Sequence, residues 1–361
     1  MLHVSVLIAF IISFGIVLYL TPKLLLLSLK KKLIDPVDSR KIHTAAASRF
    51  GGFSFFPAIF ISMCLSIALM YFYHQQLFHG NYIFRILLGS CALFIVFILG
   101  VADDVVGVRY RKKFIFQILA AILIVFSGRW INNLHGFCGI GEIPDAAGII
   151  LTIFLLVFIT NSINLIDGID GLASLLAIIA LWVYGTIFLA GEIIVGSLFS
   201  FASLGALIPF FYFNVFGIKK KNDSKIFMGD AGSLVIGFLL GIMAVALWNI
   251  EIDTEGSPYH SILAYTMLAV PCFDTIRILF CRLRKRHPLF LPDNKHIHHI
   301  LLRRGLTPRQ TLLTIVLVEV VILFVNLYLG RILNITFIVM IDILIFALFY
   351  QIANHKSFIK K

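Results

Sequence analysis

Charge is scarce in this chain. Only 13% of its 361 residues are Asp, Glu, Lys or Arg, while 60% are apolar, and the mean hydropathy is +1.00. A soluble globular domain sits nearer half apolar and a quarter charged, so the deficit excludes a soluble enzyme, a disordered chain and a nucleic-acid-binding module. Cysteine is sparse as well. Cys64, Cys91, Cys138, Cys272 and Cys281 show no paired spacing, which argues against both a disulfide framework and a thiolate metal site. Acid is rarer than base: 18 Asp and Glu stand against 30 Lys and Arg, a formal charge of +12. Bilayer proteins collect Lys and Arg in their cytoplasmic loops whatever their function, so this excess needs no nucleic acid to explain it.

What the chain has in abundance is apolar length. About 20 apolar residues cross the hydrocarbon core as a helix. Eleven stretches qualify, near 2–28, 51–73, 83–102, 114–130, 147–163, 171–190, 193–216, 232–250, 260–281, 311–329 and 332–353. The expected fold class is an all-α polytopic membrane protein, one domain over 1–361. No basic residue precedes the first span and no small-x-small site closes it, so it does not read as a cleavable signal peptide. With the N-terminus outside, the inner segments are 29–50, 103–113, 161–170, 217–229, 282–310 and the tail from 354. They hold 25 of the 30 Lys and Arg; only Arg85, Arg129 and Arg331 lie on the other side, and Lys23 and Arg277 fall near the inner ends of spans. That asymmetry predicts an outer N-terminus and a cytoplasmic C-terminus.

Five inner segments carry dense polar signatures. They are Asp35-Pro-Val-Asp38-Ser-Arg40-Lys41-Ile-His43 leading to Gly51-Gly52; Asp103-Asp104 followed by Gly107, Arg109, Arg111, Lys112 and Lys113; Asn161-Ser-Ile-Asn164-Leu-Ile-Asp167-Gly168-Ile-Asp170-Gly171; Phe227-Met-Gly229-Asp230-Ala-Gly232-Ser233; and Asp293-Asn-Lys295-His296-Ile-His298-His299 with Arg303 and Arg304 beyond. The outer loops carry acids without pattern. A single Asp at a span end is usually interfacial and solvated. Five of them on one face, Asp103, Asp104, Asp167, Asp170 and Asp230, would repel one another. A divalent cation resolves that repulsion, and oxygen-only ligands point to Mg²⁺ or Mn²⁺ rather than Zn²⁺. Acids for a metal, bases for phosphate and glycine-rich turns together describe phosphoryl-transfer equipment.

The histidines leave three readings open: a Zn²⁺ site, a solvated loop cluster, or a partly cationic set that contacts phosphate or sugar beside Arg303 and Arg304. Contact with phosphate or sugar is preferred. Asp274 and Arg277, three residues apart, read as a structural ion pair. Glu319 and Asp342 lie deep in their spans, where an unpaired carboxylate costs about 2.5–3.5 kcal/mol, so both are expected to face protein. A transporter is the rival from another class, since proton relays use intramembrane acids. Against it, the acids gather at one face and no inverted repeat is visible.

These motifs resemble the polyprenyl-phosphate N-acetylhexosamine-1-phosphate transferases, the membrane family that includes the WecA, TagO and MraY branches. The resemblance runs from about Asp35 to Arg304, and its most specific parts are the Asn161–Gly171 string and Phe227–Ser233. The third aspartate seen in many members is here Gly107. The His296-x-His298-His299 string and the eleven spans look like the WecA branch; a MraY-like phospho-MurNAc-pentapeptide transferase is the alternative. The resemblance implies that polyprenyl phosphate attacks the β-phosphate of a UDP-N-acetylhexosamine, with UDP-GlcNAc preferred and undecaprenyl phosphate the lipid, and that UMP leaves. It implies Mg²⁺, with Mn²⁺ as a substitute, held chiefly by Asp230 with Asn164 beside it. Asp103 or Asp104 would orient or deprotonate the lipid phosphate, which is largely dianionic near neutral pH if its second pKa is about 6. Asp167 and Asp170 would help hold the nucleotide and metal region. Phe227 would stack on uracil. Lys113, His296, His298, His299 and Arg303 would meet diphosphate or sugar, with Lys41 and His43 ranked lower. A homodimer and a place in the bacterial inner membrane, with the site facing the cytoplasm, follow by the same resemblance.

Overall fold

In hydrocarbon no water satisfies backbone N–H and C=O groups, so a crossing segment must close its own hydrogen bonds as a helix. The computed structural model, which describes residues 2–31, 48–73, 80–217, 225–250, 259–288 and 295–355, follows that rule. Its helices are α1 (Leu2–Lys30), α2 (Phe55–Tyr73) after a 3-10 turn at Phe50–Ser54, α3 (Gly80–Val106), α4 (Tyr110–Phe126), α5 (Asp145–Ile166), α6 (Leu172–Ala190), α7 (Ile194–Phe216), α8 (Gly229–Trp248), α9 (Tyr259–Thr266), α10 (Ala269–Arg284), α11 (Ile297–Arg303), α12 (Pro308–Leu329) and α13 (Ile335–Asn354). Among the described residues nine are long and apolar enough to cross a membrane, or ten if α9 and α10, bent by 62°, form one span. The protein is a multi-pass, predominantly helical membrane protein. α4 has 17 residues, at the lower limit of about 17 for a crossing.

One stretch departs from the all-α expectation. Asn133–Phe137 and Ile140–Glu142 pair antiparallel as β1 and β2. The hairpin turns through Cys138 and Gly139, both at positive φ, and the Trp248 indole N–H donates to the Asn133 carbonyl at 2.7 Å.

The helices are not equivalent. In the apolar window of α8, 94% of residues are buried, and in α7 78%; α1, α12 and α13 reach only 33%, 28% and 22%. α8 is therefore the most enclosed helix, α7 follows it, and α1, α12 and α13 lie at the periphery. Close packing at its start depends on the absence of side chains: a Cβ on Gly52 would overlap the Gly232 backbone. Small residues let transmembrane helices approach this way.

Glu319 and Asp342 are buried and face protein, as expected. The Val270 N–H at the start of α10 donates to Glu319 at 3.0 Å. Asp342 accepts from the Tyr265 hydroxyl and the Asn326 amide, each at 2.8 Å.

Candidate active site

α8 begins abruptly because Gly229 takes φ +70 and turns the chain into the helix. Its first turn holds Asp230, where the helix dipole favours a negative charge. The exposed amides of that turn are met from α3. Asp104 accepts the N–H of Asp230 and the N–H of Ala231, each at 2.9 Å, one on each carboxylate oxygen. Asp103, its neighbour, turns elsewhere: it accepts from the Val108 N–H at 2.6 Å and pairs with the Lys113 ammonium. α3 then stops at Gly107, which has φ +73 and donates its N–H to the Asp103 carbonyl at 3.0 Å. This is a left-handed helix stop, so a glycine in place of the family's third aspartate has a backbone reason.

Three helix ends thus meet. The Lys113 Nζ lies 3.5 Å from Asp230 Oδ2 as well as against Asp103, and the two carboxyls lie within hydrogen-bonding reach of each other. From the end of α5, the Asn164 amide donates to Asp230 Oδ1 at 2.5 Å and to the Ser233 hydroxyl at 2.8 Å. With its NH₂ so engaged, the carbonyl oxygen of Asn164 is the atom it offers to a cation.

Asp167 follows as the residue that closes α5. Burial pushes its carboxyl up to about 8, with Asp230, Asp170 and Asp104 adding like charge. Asp170 is drawn aside by Lys225 at 2.6 Å. Phe227 is held by its backbone: its N–H donates to the Ser48 carbonyl at 2.7 Å, and its carbonyl accepts from Gly51 at 3.0 Å. Asn214 ties the two loops together, accepting from the Gly171 N–H at 2.6 Å and donating to the Ile226 carbonyl at 2.8 Å.

The histidines separate into different jobs. His296 Nδ1 lies 2.8 Å from Asp274, which also takes the Ile297 N–H and the Arg277 guanidinium at 2.7 Å. The expected Asp274–Arg277 pair is present, and it extends to fix the start of α11. His296 is buried, and its Nδ1 is held by Asp274 at 2.8 Å. His298 packs on the Asp167–Gly168 turn, where any Cβ on Gly168 would overlap its ring. Burial, then the neighbouring His299 and His296, bring His298 down to about 3, so its ring is neutral. Neither ring nitrogen has a partner among the described residues. His299 lies against it, ring centroids 4.2 Å apart.

Asp103, Lys113, Asn164 and Asp230 therefore form one cluster, with Asp167 within electrostatic reach and His298 against its turn. Asp104 is bound up in helix docking. Arg303 is exposed and lines a cavity with Arg282 and Lys285. Lys41 and His43 lie outside the described residues. Two participants escaped the sequence reading: Lys225, whose one signal was its place just before the Phe227 motif, and Arg49, which interacts electrostatically with Asp104 and Asp230.

Among the described residues no group of three or more His, Cys, Asp or Glu side chains converges tightly enough to hold a metal by protein alone. Mg²⁺ is commonly held by one or two carboxylates, with water and substrate phosphates completing its shell. Asp103, Asp230 and the Asn164 carbonyl suit that mode.

Known proteins resemble the chain in sequence. The sequence model of glycosyl transferase family 4 matches residues 86–248, from early α3 to the end of α8. An undecaprenyl-phosphate alpha-N-acetylglucosaminyl 1-phosphate transferase of Salmonella typhi is 30% identical over 300 residues, covering 82% of this chain and 76% of that protein. The chain belongs to glycosyl transferase family 4. A probable undecaprenyl-phosphate N-acetylglucosaminyl 1-phosphate transferase of Bacillus subtilis (strain 168) is 28% identical over 320 residues, 87% of this chain and 82% of the relative. The Yersinia pestis undecaprenyl-phosphate alpha-N-acetylglucosaminyl 1-phosphate transferase is 29% identical over 294 residues, 80% and 75% of the two chains. The family match contains Asp103, Asn164 and Asp230 but ends before Asp274 and the histidines.

Proposed function

We propose that the chain transfers N-acetylglucosamine 1-phosphate from UDP-N-acetylglucosamine to undecaprenyl phosphate. UMP leaves and a lipid-linked diphosphate sugar remains, the first intermediate of a cell-envelope polysaccharide. The observation that carries this reading is the meeting of Asp103, Lys113, Asn164 and Asp230 at the ends of α3, α4, α5 and α8, an oxygen-rich cluster with one ammonium beside it. The names of the relatives favour the simple N-acetylhexosamine over a peptide-bearing donor.

The reaction exchanges one phosphoanhydride for another, so positioning and charge neutralisation matter more than driving force. The oxygen of the lipid phosphate forms a bond to the donor's β-phosphorus, and the bond from that phosphorus to the oxygen bridging to the α-phosphate breaks, its electron pair leaving with UMP. Asp230 and Asn164 would hold Mg²⁺, with Asp103 beside them. The cation would supply charge neutralisation for the diphosphate. Lys113 adds a positive charge on the same side. Asp103 has one oxygen tied to the Val108 amide and the other turned to Lys113, which suits it to orient the incoming lipid phosphate. Asp104 acts through the helix it docks. Neutral His298, with Asp167 beneath it, faces the donor's sugar or diphosphate, and Phe227 stacks on the base.

Counting α4 and the α9–α10 pair as one crossing each would make eleven, with the termini on opposite sides; the positive-inside asymmetry then favours an outer N-terminus and a site at the cytoplasmic face of the bacterial inner membrane. A homodimer is part of the same reading.

The test uses purified protein with undecaprenyl phosphate and a panel of UDP-N-acetylhexosamines, following UMP. Release from UDP-N-acetylglucosamine with Mg²⁺, abolished by EDTA and by Asp230→Asn, is expected. Release only from UDP-MurNAc-pentapeptide would move the chain to the peptidoglycan branch, and silence with every donor would sink the proposal.

A further inference from the structure

Two polar side chains lie one turn from the carboxylate cluster without belonging to it. Gln117 is the only polar residue between Lys113 and Ser127 in the sequence, and it is completely buried on α4. Its side-chain oxygen accepts the Asn161 amide of α5 at 2.6 Å. Asn161 also donates to the Val157 carbonyl at 2.7 Å, so its amide is anchored on its own helix.

This bridge is a poor device for stability. Gln117 Nε2 is buried with no hydrogen-bond partner among the described residues, and an unmet buried donor is unfavourable. A methionine would fill much the same space without that penalty. Hydrogen bonds between membrane helices are in any case worth little on average. Polar groups within spans are expensive to place and mark function, so the bridge calls for a role other than cohesion.

Register supplies that role. The remaining buried residues of α4 are Ala120, Ala121 and Ile124, while Ile115, Phe116, Ile118 and Leu119 are exposed. A small apolar seam tolerates a shift along the axis, whereas one polar contact between helices specifies a single register. Lys113 lies four residues before Gln117, and Asn164 three after Asn161, so on each helix the bridge and the cluster share a face. The bridge therefore lies one turn from the point where Lys113 meets Asp103 and Asp230 and where Asn164 meets Asp230. A slip of one residue would carry Lys113 about 1.5 Å along the axis and about 100° around it, away from both carboxylates. On the transfer reading given above, we propose that Gln117, bridged to Asn161, is a positioning residue: it fixes α4 on α5 and so holds the Lys113 ammonium at the Asp103–Asp230 pair.

Steady-state UMP release by the full-length protein in detergent, with undecaprenyl phosphate, UDP-N-acetylglucosamine and Mg²⁺, tests this. Gln117→Met keeps the volume and leaves Asn161 its Val157 partner. It should lower kcat about thirtyfold or more, leave KM for the UDP-sugar within about twofold, and move the unfolding temperature by no more than about 2 °C. Bridge length provides the rescue. Gln117→Asn shortens the bridge by one methylene and Asn161→Gln restores it, so the exchanged pair should turn over about tenfold faster than Gln117→Asn alone. In a Lys113→Met background, adding Gln117→Met should cost about twofold at most, because its effect passes through Lys113. Undiminished kcat in Gln117→Met, no recovery in the exchanged pair, or fully additive losses with Lys113→Met would overturn the proposal. So would a fall in unfolding temperature large enough to account for the lost turnover, which is the mark of a merely structural contact. An active wild type beside an equally active Gln117→Met counts against this proposal alone, whereas a wild type silent with every donor removes the transfer reading and this role with it.

Discussion

Asp103 and Asp104 are neighbours with different obligations. Both oxygens of Asp104 accept backbone amides at the start of α8, whereas Asp103 presents one oxygen to Lys113. Asp104→Asn puts an NH₂ where an N–H already points, and a hydrogen bond to a charged group is worth about 1.5–3 kcal/mol. Its expected mark is a lower unfolding temperature together with lost turnover. Asp103→Asn should instead reduce kcat by about a hundredfold or more with little change in unfolding temperature; thermal unfolding and UMP release on the two variants separate them. Asp167 offers a pH test. Its carboxyl is raised to about 8 from an ordinary value near 3.9, so the folded state binds that proton more tightly than the unfolded chain. The stabilisation is complete below about pH 4 and is lost as pH rises through about 8. In EDTA, wild type should therefore lose stability across that window more steeply than Asp167→Asn. None of this division of labour was legible from the letters, because Asp-Asp and Asp-Gly-x-Asp-Gly do not say which oxygen meets an amide and which meets a cation.

The long helices were readable, the short elements were not. Apolar runs of twenty residues have one solution in lipid, so α1, α5, α7 and α13 lie near the expected stretches. α11 has seven residues, too few for a periodic signal, and it exists because Asp274 takes the Ile297 amide and His296 at its start. The β1–β2 hairpin is equally short, and its turn depends on positive φ that the sequence shows only as scattered glycines. Asp274→Ala would leave Arg277 and His296 beside an empty partner, and breaking a buried pair costs about 3–5 kcal/mol. A lowered unfolding temperature and loss of UMP release are expected with every residue of the carboxylate cluster intact. Gly52→Ala tests the close approach on α8, since its Cβ would overlap the Gly232 backbone. Overpacking of this kind costs about 1–3 kcal/mol, read as a fall in unfolding temperature.

Charge asymmetry carried most of what the sequence said about the whole protein, and native cysteines can check it. Cys138 is exposed in the hairpin turn, and Cys281 borders the basic cavity at the opposite end of the bundle. Cys64 and Cys91 are exposed too, but they lie within α2 and α3, among apolar surface. In intact cells a membrane-impermeant maleimide should modify Cys138 and spare Cys281 until the membrane is opened; the reverse pattern would overturn the orientation. The enclosure of α8 was not legible, because runs of similar hydropathy do not reveal which helix is wrapped by the rest. That wrapping isolates chemistry from habitat. α8 meets almost no lipid while α1, α12 and α13 meet it along much of their length, so a thicker or thinner bilayer tilts the outer helices before it disturbs Asp230. A lineage with this architecture can change the make-up of its membrane without having to evolve its catalyst anew.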